Sequence, residues 1–430
     1  MTPDPTVFVA TSDLAGQMRG RSVPASALDS VLRRGVGWVP ADLAITAFGA
    51  IAANVFGSTG DLRLMPDAAT QVEIPAHKDD PKVTVVLADQ TLPDGTPWAC
   101  CPRTFARTAL EDLRAATGLD VVASFEHEFM VAGLPKTGPF SFERHRSIEP
   151  FGSELVALLE GAGLEPENWL PEFGADQFEI TLQPAPGLVA ADRAVLVKEL
   201  VRDLARRHGR RVTFAPLLHP DGSGNGVHVH LSLRDSTGAP VLYDPTRPAG
   251  LSALGHRFAA GVLAHAPALL GLTAPSPASY LRLTPHRWSA GGIFLAERNR
   301  EALLRICPTS TVGGGDTAGQ YNLEFRPSDA TANPWLTLGV LVRAGLAGLT
   351  GEYDEPTIWP ETVTEPELAG VPTLPSGLGE ALDNLAADPV VAGWFDPDLL
   401  ATHLAVKRAE LAAVAGLDDV QLCAKMADVY

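Results

Sequence analysis

Hydrophobic and polar residues alternate along four well-separated segments, which predicts β-strands with one apolar and one polar face. In VVASFEHEFMV, Glu126 and Glu128 lie on one face, and Phe125 and Phe129 lie on the other. The segments DQFEITL, NGVHVHLSL and YNLEFRP repeat this pattern, with polar faces that carry Gln177 and Glu179, His228, His230 and Ser232, and Glu324 and Arg326. Such alternation is typical of an antiparallel sheet with one face in water.

Longer segments with a helical spacing of apolar residues predict helices that pack against these strands. The segment PRTFARTALEDLRAATG predicts a helix that begins at Pro102 and ends before Gly118. DRAVLVKELVRDLARRHG predicts a second helix, and NPWLTLGVLVRAGLAGLTG predicts a third with Asn333 as its N-cap. The segment from about residue 365 to 416 has the pattern of two or three more helices.

The predicted secondary structure changes in type near residue 100, which predicts a domain boundary. Before it, VFVATS and KVTVVLAD are rich in β-branched residues and bounded by turn signals. After it, helical and strand patterns are mixed. We therefore expect a small β-rich domain over residues 1–99 and one large domain over residues 100–430.

The charge of the chain excludes several classes of partner. The 430 residues include 33 Lys and Arg against 51 Asp and Glu, a net charge of −18. Such a surface repels phosphate backbones and anionic lipid, so we expect neither nucleic-acid binding nor membrane association. No apolar run approaches the ~18 residues of a membrane span. The first residues, MTPDPTVF, lack a signal-peptide pattern, and four cysteines without a CxxC motif indicate reduced thiols, so we expect a cytoplasmic protein.

The polar faces of the four strands have an unusual composition for a merely solvated surface. They contain no Lys and concentrate carboxylates and imidazoles. Residues two apart on a strand lie roughly 6.5–7 Å apart, so Glu126 and Glu128 could each serve one of two neighbouring cations. Carboxylates with few imidazoles favour Mg²⁺ or Mn²⁺ over zinc. The alternative is an ordinary wet face of an antiparallel sheet.

Arginines concentrate close to two of these strands. Five arginines of one 45-residue stretch stand out: Arg282, Arg298, Arg300, Arg305 and Arg326. Divalent cations together with arginines are what phosphoryl transfer requires, because the charge of the transferred group must be neutralised. The glycine-rich GSGNG segment lacks the Lys and Ser/Thr of a P-loop and precedes a strand, so we expect it only to bring backbone close to a small ligand.

These motifs, in this order, resemble the glutamine synthetase superfamily. The resemblance covers nearly the whole chain, from DLAGQMRGRSVP and GDLRLMPDAATQVEIP through FEHEF, PEFGADQFEI, GSGNGVHVHLSL, SYLRL, RNREALLRI and LEFRPSDATANPWL. Within the superfamily the chain resembles the γ-glutamyl-amine ligase branch, of the γ-glutamylpolyamine type. The resemblance implies an α+β fold, with an N-terminal β-grasp domain and a catalytic domain in which helices flank an antiparallel sheet or partial barrel.

The resemblance also implies a role for individual residues. It assigns Glu128, Glu172 and Glu179 to one divalent cation, and Glu126, His228 and Glu324 to a second. Glutamate is implied to bind at Arg282, Arg326, Ser223 and the backbone of Gly224. The ATP side is implied to comprise Arg300, Arg305, His230 and Ser232. The implied catalytic residues are Glu126, Glu128, Arg300 and Arg305.

The implied reaction has two steps. The γ-carboxylate of L-glutamate attacks the γ-phosphate of ATP, with two or more Mg²⁺ or Mn²⁺ ions at the site, and an amine or ammonia then displaces phosphate. The resemblance further implies a homo-oligomeric ring, a dodecamer, in which neighbouring subunits share each site.

The chain departs from the pattern of ammonia-using members on the amine side. Where these carry an acidic F-D-G-S-S segment, the chain has LAITAFGAIAAN, and where they carry a Glu after the SYKRL arginine, it has Trp288. No Asp or Glu occurs between Arg282 and Glu297. An ammonium ion needs a nearby anion, which this segment lacks, whereas an aromatic ring such as that of Trp288 suits an organic amine. The distal cations of long polyamines also need carboxylates, so the same absence disfavours long polyamines. Ser223 also replaces a common Asn.

Three functions follow from these observations. The first is a ligase that joins glutamate to a small primary organic amine, with Trp288 in the amine pocket. The second is glutamine synthetase itself, in which case Trp288 is a core residue and ammonia binds elsewhere. The third is a structural or regulatory relative without activity, which the complete set of ligand-type residues disfavours.

Overall fold

The computed structural model describes residues 5–78 and 80–430, and its first sheet is built from the N-terminal segments. The strands and helix of this part are β1 Thr6–Ser12, β2 Met18–Pro24, α1 Leu28–Arg34, β3 Val36–Trp38, β4 Leu62–Pro66, β5 Val72–Ile74 and β6 Val83–Thr91. The order is β2-β1-β6-β4-β3, with β5 beside β6. Strands β1 and β6 are parallel, and the remaining pairs are antiparallel. Residues 1–4, which the predicted N-terminal domain includes, lie outside the described residues.

The second sheet contains the four segments with alternating polarity. Its strands are β7 Asp120–Val131, β8 Pro166–Pro171, β9 Gln177–Leu182, β10 Ala185–Pro186, β11 Val212–Thr213, β12 Val227–Arg234, β13 Gly292–Glu297, β14 Ala302–Ile306, β15 Leu323–Phe325 and β16 Ile358–Trp359. The order is β16-β13-β14-β15-β12-β7-β9-β8, with β10 and β11 beside β7. The alternating segments are therefore neighbours, as β15, β12, β7 and β9.

These four strands pair antiparallel, as predicted. The nearly barrel-shaped sheet as a whole is mixed, however, because β13 pairs parallel with both β14 and β16. The antiparallel pairing expected for the sheet therefore holds among the four central strands, and strand β13 adds parallel pairs with β14 and β16. The α+β class and the flanking helices are confirmed.

Helices pack against the apolar side of the second sheet and against one another. They are α2 Pro102–Thr117, α3 Phe142–Ser147, α4 Phe151–Gly161, α5 Gly187–Arg207, α6 Ala253–Thr273, α7 Ser279–Arg282, α8 Thr317–Gln320, α9 Pro334–Thr350, α10 Leu378–Ala387, α11 Pro389–Ala392, α12 Pro397–Ala413 and α13 Asp419–Val429. None of the helices within the described ranges has both the length and the apolar character to cross a membrane.

The helix ends follow the predicted capping chemistry. Gly118 ends α2 in the left-handed conformation, with φ of 74°, and the Asn333 side chain accepts the backbone N–H groups of Trp335 and Leu336 at the start of α9. Helix α6 was not predicted, because apolar residues surround it and no single face stands out. It packs closely on α9, where a Cβ on Gly261 would lie 2.6 Å from the Gly348 nitrogen.

A buried arginine joins the N-terminal sheet to the helices. Arg103 on α2 is 1% exposed, and its Nε and Nη2 donate to the two carboxylate oxygens of Asp192 on α5 at 2.9 and 2.8 Å. The same guanidinium pairs with Asp67 at 2.8 Å and Asp89 at 3.1 Å, which both belong to the N-terminal part. Trp335 on α9 donates to Asp192 at 2.8 Å.

The apolar core is likewise continuous between the N-terminal sheet and the helices around the second sheet. The turn at Trp98–Cys101 leads directly into α2. The division of the chain into domains at residues 99 and 100 remains a prediction.

Replacement of Arg103 by Ala is expected to lower the free energy of unfolding by about 3–5 kcal/mol, because Asp192 would stay buried without its partner. Chemical denaturation followed by circular dichroism measures this change. Arg107→Ala is the matched control, since Arg107 also pairs with Asp89 at 2.8 Å but is one-third exposed. Such a pair contributes about 0–1 kcal/mol. Equal losses in the two variants would contradict the central role of Arg103.

Candidate active site

A cavity of about 1060 Å³ opens on the polar face of the four central strands. It is lined by all but one of the residues predicted for the site: Glu126, Glu128, Glu172, Glu179, Ser223, Gly224, His228, His230, Arg282, Trp288, Arg300, Arg305, Glu324 and Arg326. The exception is Ser232, whose hydroxyl donates to the Tyr321 carbonyl at 2.7 Å. The structure therefore brings the predicted metal, glutamate and amine residues together, and does not bring Ser232 into this cavity.

The register of the strands explains this convergence. Glu126 on β7 lies opposite His228 on β12, and Glu128 lies opposite Glu179 on β9. Glu324 on β15 lies opposite His230 on one side and Arg305 on the other. Side chains of directly opposite residues start about 4.5–5.5 Å apart on the same face, so distant segments deliver their polar groups to one place.

Glu126, His228 and Glu324 form a compact set of potential metal ligands. Their ligand atoms all lie within 4.8 Å of one another, and His228 Nδ1 is 3.5 Å from Glu126 Oε2 and 3.5 Å from Glu324 Oε1. Burial and the charge of Arg326 lower the pKa of His228 to about 4, so its imidazole is neutral at neutral pH and keeps a free lone pair. This donor set fits a divalent cation.

The two carboxylates of this set stay ionised. Burial raises the pKa of Glu324, but the charges of Arg326 and the two histidines outweigh burial and bring the pKa down to about 2. Burial also opposes ionisation of Glu126, and its pKa is nevertheless well below the usual value because of His230 and His228.

Glu128, Glu172 and Glu179 form a looser and more strongly repelling group. Burial raises the pKa of each of the three carboxyl groups, and the charges of neighbouring glutamates raise the pKa of Glu179 further. Glu128 is held in place by the Gly226 backbone, which donates to its Oε2 at 2.7 Å. Because the three carboxyl groups are buried and repel one another when ionised, a divalent cation bound between them would stabilise their ionised forms.

Four of the five predicted arginines face the cavity. Arg305 Nη1 donates to Glu324 Oε2 at 2.7 Å, and Arg326 donates to the other oxygen of the same carboxylate. Arg300 is exposed on the turn between β13 and β14. Arg298 does not line the cavity and pairs instead with Glu297 and Glu361, so its membership in the predicted cluster is wrong.

Arg282 is buried beneath the GSGNG segment. Its two terminal nitrogens donate to the carbonyls of Pro327 at 2.9 Å and Arg326 at 3.1 Å. A Cβ on Gly224 would lie 2.6 Å from Arg282 Cγ, and a Cβ on Gly226 would lie 2.8 Å from His228 Nε2. Glycine at these positions thus lets the backbone lie against the arginine and the histidine.

His230 is a charged link between several parts of the site. Its Nε2 lies 3.0 Å from Glu126 Oε1, and its Nδ1 lies 2.9 Å from Asn322 Oδ1. Burial lowers the pKa of His230, but Glu126 outweighs burial and holds the pKa well above its usual value. The buried thiol of Cys307, which the sequence argument did not include, lies 3.6 Å from His230 Nδ1 and 3.5 Å from Glu324 Oε2.

Trp288 lies at the mouth of the cavity and is 64% exposed, which excludes a role in the core. Its ring centroid is 6.5 Å from that of Phe173, and Phe140 lines the same cavity. The backbone at Trp288 has φ of 53°, and that at His286 has φ of 65°. The left-handed conformation costs roughly 1–2 kcal/mol per non-glycine residue, so other contacts must hold this segment.

Comparison with known proteins identifies the family to which this arrangement belongs. The family model of the glutamine synthetase N-terminal domain matches residues 4–98, and that of the glutamine synthetase catalytic domain matches residues 99–420. The chain belongs to the glutamine synthetase family.

The relatives of the chain include both a γ-glutamylpolyamine synthetase and glutamine synthetases. The chain is 36% identical to a γ-glutamylpolyamine synthetase of Streptomyces coelicolor over 96% of its own length and 91% of the relative. It is 31% identical to a glutamine synthetase of the same organism over 94% of its length and 92% of the relative.

Solved structures show the same fold. A glutamine synthase homologue superposes with a TM-score of 0.92 at 46% identity, over 100% of this chain and 99% of that chain. A complex of GmaS with ADP superposes with a TM-score of 0.82 at 26% identity, over 96% and 94% of the two chains. The resemblance, the fold and the expectation of an ATP-dependent ligase are thereby confirmed.

Several residues of this glutamine synthetase-type site escaped the sequence argument. Arg287 lines the cavity and donates to the carbonyl of Gly222 at 2.9 Å, and Asp221 lines it with an exposed carboxylate. Arg287 directly precedes Trp288, and Asp221 directly precedes the GSGNG segment, so both adjoin positions that the sequence had already indicated. Asp221 thus supplies an acidic group in the cavity lining, of the kind that the distal cation of a long polyamine favours.

Binding of Mg²⁺ or Mn²⁺ to the protein is expected to release protons and to become tighter as the pH rises. The pKa values of Glu128, Glu172 and Glu179 are raised without metal, so cations compete with protons below these pKa values and no longer do so above them. Titration calorimetry in buffers of different ionisation enthalpy counts the released protons. Fewer protons should be released when the metal binds to the Glu179→Gln variant. Binding without proton release at any pH would contradict the assignment of these carboxylates as ligands.

Proposed function

We propose that the protein is an ATP-dependent ligase that forms a γ-glutamyl amide from L-glutamate and a small primary organic amine. The observation that carries this proposal is that one cavity brings together ligand sets for divalent cations, five arginines and an exposed indole. These are the groups needed to neutralise a transferred phosphoryl group and to receive an organic nucleophile.

The residues present fit two or more Mg²⁺ or Mn²⁺ ions. Glu126, His228 and Glu324 would hold one ion through two ionised carboxylates and a neutral imidazole. Glu128, Glu172 and Glu179 would hold another. When bound, such ions neutralise the negative charge of the ATP phosphates, and all-oxygen or oxygen-rich sites favour these two metals without distinguishing them.

The arginines would position the two substrates. Arg282 and Arg326, with Ser223 and the backbone of Gly224, would bind glutamate, and Arg300 and Arg305 would bind the ATP phosphates. His230 carries positive charge in the same cavity and suits the nucleotide side. Ser232 has no place in the cavity as observed, so its proposed contact with the nucleotide requires a part of the ligand outside the cavity.

The chemistry would proceed in two steps. An oxygen of the glutamate γ-carboxylate attacks the γ-phosphorus of ATP, the bond to the β,γ-bridging oxygen breaks, and γ-glutamyl phosphate and ADP result. The unprotonated amine nitrogen then attacks the acyl carbon, phosphate leaves, and the nitrogen loses a proton to give the amide. Arg300 and Arg305 would stabilise the charge that develops on the phosphoryl oxygens.

An organic amine is favoured over ammonia by the aromatic side chains at the mouth. Trp288 and Phe173 present exposed ring surfaces that an ammonium ion alone would not need. The likeness to a γ-glutamylpolyamine synthetase supports the same choice. Glutamine synthetase activity with ammonia is the alternative, supported by the likeness to glutamine synthetases, and an inactive structural or regulatory relative is the second alternative.

The proposal also includes a homo-oligomeric ring, a dodecamer, in which a neighbouring N-terminal domain completes each site. This part rests on the resemblance to the family. Analytical ultracentrifugation of the protein tests it directly.

A panel of small primary amines is expected to support faster glutamate-dependent ADP release than ammonia. Trp288→Ala should raise the KM for the preferred amine roughly three- to tenfold, the size of a lost aromatic contact, and affect ammonia less. A coupled ADP assay with mass spectrometry of the γ-glutamyl product measures both. Phe142→Ala is the matched control, because Phe142 is a 76% exposed aromatic outside the cavity. Efficient turnover of ammonia alone would refute this interpretation of Trp288, and no ADP release with any donor would favour the inactive relative.

Glu128→Ala is expected to abolish ADP release, because it removes a proposed cation ligand. Size-exclusion chromatography and circular dichroism should show an unchanged assembly and fold. Glu111→Ala, on the exposed face of α2, controls for loss of a carboxylate elsewhere. Retained activity in Glu128→Ala would contradict the metal assignment.

A further inference from the structure

We infer that Glu301 is a positioning residue for amine selection, because its carboxylate holds the segment 285–289 in the conformation that presents the Trp288 indole to the cavity. Glu301 itself does not line the cavity, so it acts on the amine through the segment and not by contact. The inference rests on the proposed function and assigns this residue to its amine side.

The two oxygens of Glu301 bind two backbone N–H groups of one segment. Oε1 accepts from the Trp288 nitrogen at 2.8 Å, and Oε2 accepts from the His286 nitrogen at 3.1 Å. These are the two residues of the segment with left-handed φ. Backbone N–H groups that converge in this way form a concave binding site for an anion, and the Glu301 carboxylate occupies it.

Glu301 is itself held firmly in the turn that precedes β14. Its nitrogen donates to Asn299 Oδ1 at 2.8 Å, and its carbonyl accepts from the Gly291 nitrogen at 2.7 Å. A Cβ on Gly291 would lie 3.1 Å from Glu301 Oε2, so this glycine leaves room for the carboxylate. The Glu301 side chain thus ties the segment to the turn between β13 and β14.

A second contact connects the same segment to the glutamate side. Arg326 Nη2 donates to the Trp288 carbonyl at 2.7 Å, while its Nε donates to the Arg300 carbonyl at 2.9 Å. The indole therefore has a defined position relative to the arginine proposed to bind glutamate. Without Glu301, the Trp288 and His286 N–H groups would lose their acceptors, and the left-handed segment would relax.

The effect on catalysis should depend on the nucleophile. An organic amine needs the indole in place, whereas ammonia makes little contact with an aromatic side chain. Loss of Glu301 should therefore raise the KM for the organic amine far more than the KM for glutamate, ATP or ammonia. A merely structural residue would affect all four alike.

The test combines hydrogen exchange with kinetics on the full-length protein. Glu301→Ala removes both acceptors, Glu301→Gln keeps one, and Glu365→Gln is the matched control. Glu365 contacts the same segment through an exposed pair with the His286 side chain at 2.9 Å, which does not bind its backbone. Peptides that cover 286–288 are followed by mass spectrometry without substrates, and the KM of each substrate is measured separately.

We expect faster exchange at these amides and a rise of about three- to tenfold in amine KM for Glu301→Ala, no larger than for Trp288→Ala, because Glu301 acts through the Trp288 indole. Glu301→Gln should lie between Ala and wild type, and Glu365→Gln should match wild type. Unchanged exchange in Glu301→Ala would show that Glu301 does not hold the segment. Faster exchange with an unchanged amine KM would show that Glu301 has no role in amine selection.

Failure of the proposed function is a separate result. A wild-type enzyme that used ammonia alone would refute it, and with it the role of Glu301 in amine selection. The exchange measurement would still show whether the carboxylate holds the segment.

Discussion

The register of the central strands is the constraint on which the site depends. Glu126 meets His228, Glu128 meets Glu179, and Glu324 meets both His230 and Arg305 only because β7, β9, β12, β14 and β15 are paired as they are. A slip of one residue would turn every polar side chain of a strand to its apolar side. Burial of the opposite faces enforces the register, since Phe125, Val229 and Phe325 are at most 2% exposed.

The charges of the site balance one another within a protein of strong acidic excess. Arg305 and Arg326 bind the two oxygens of Glu324, while His230 is charged beside Glu126, so part of the acidic set stays ionised although it is buried. Among the residues that the structure describes, Glu128, Glu172 and Glu179 form no ion pair with an arginine or histidine, and their raised pKa values suit the binding of divalent cations. A net charge of −18 is thus compatible with a nucleotide substrate, because the arginines gather where the phosphates would bind.

The proposed amine side of the cavity is built differently from the proposed metal side. Its position does not come from strand register but from a loop with two left-handed residues that Glu301 and Arg326 hold by their backbone. The exposed rings of Trp288 and Phe173 come from loops that face each other across the cavity mouth. Loops of this kind vary more readily than paired strands, which suits the part of the site that distinguishes one nucleophile from another.

The sequence by itself determined the strands with one polar face and the caps of α2 and α9, because period-two alternation and capping are local properties. Its motifs also named nearly all of the acidic and basic residues that line the cavity. Tertiary structure alone decided that Arg298 and Ser232 lie outside the cavity, that β13 joins the sheet in parallel, and that Arg287, Phe173 and Cys307 lie at the site. No acid occurs between Arg282 and Glu297, yet the carboxylate of Glu301 reaches back to this segment from the turn before β14. Alternation specifies which face a side chain takes, but only the packing of loops and neighbouring strands specifies what that side chain meets there.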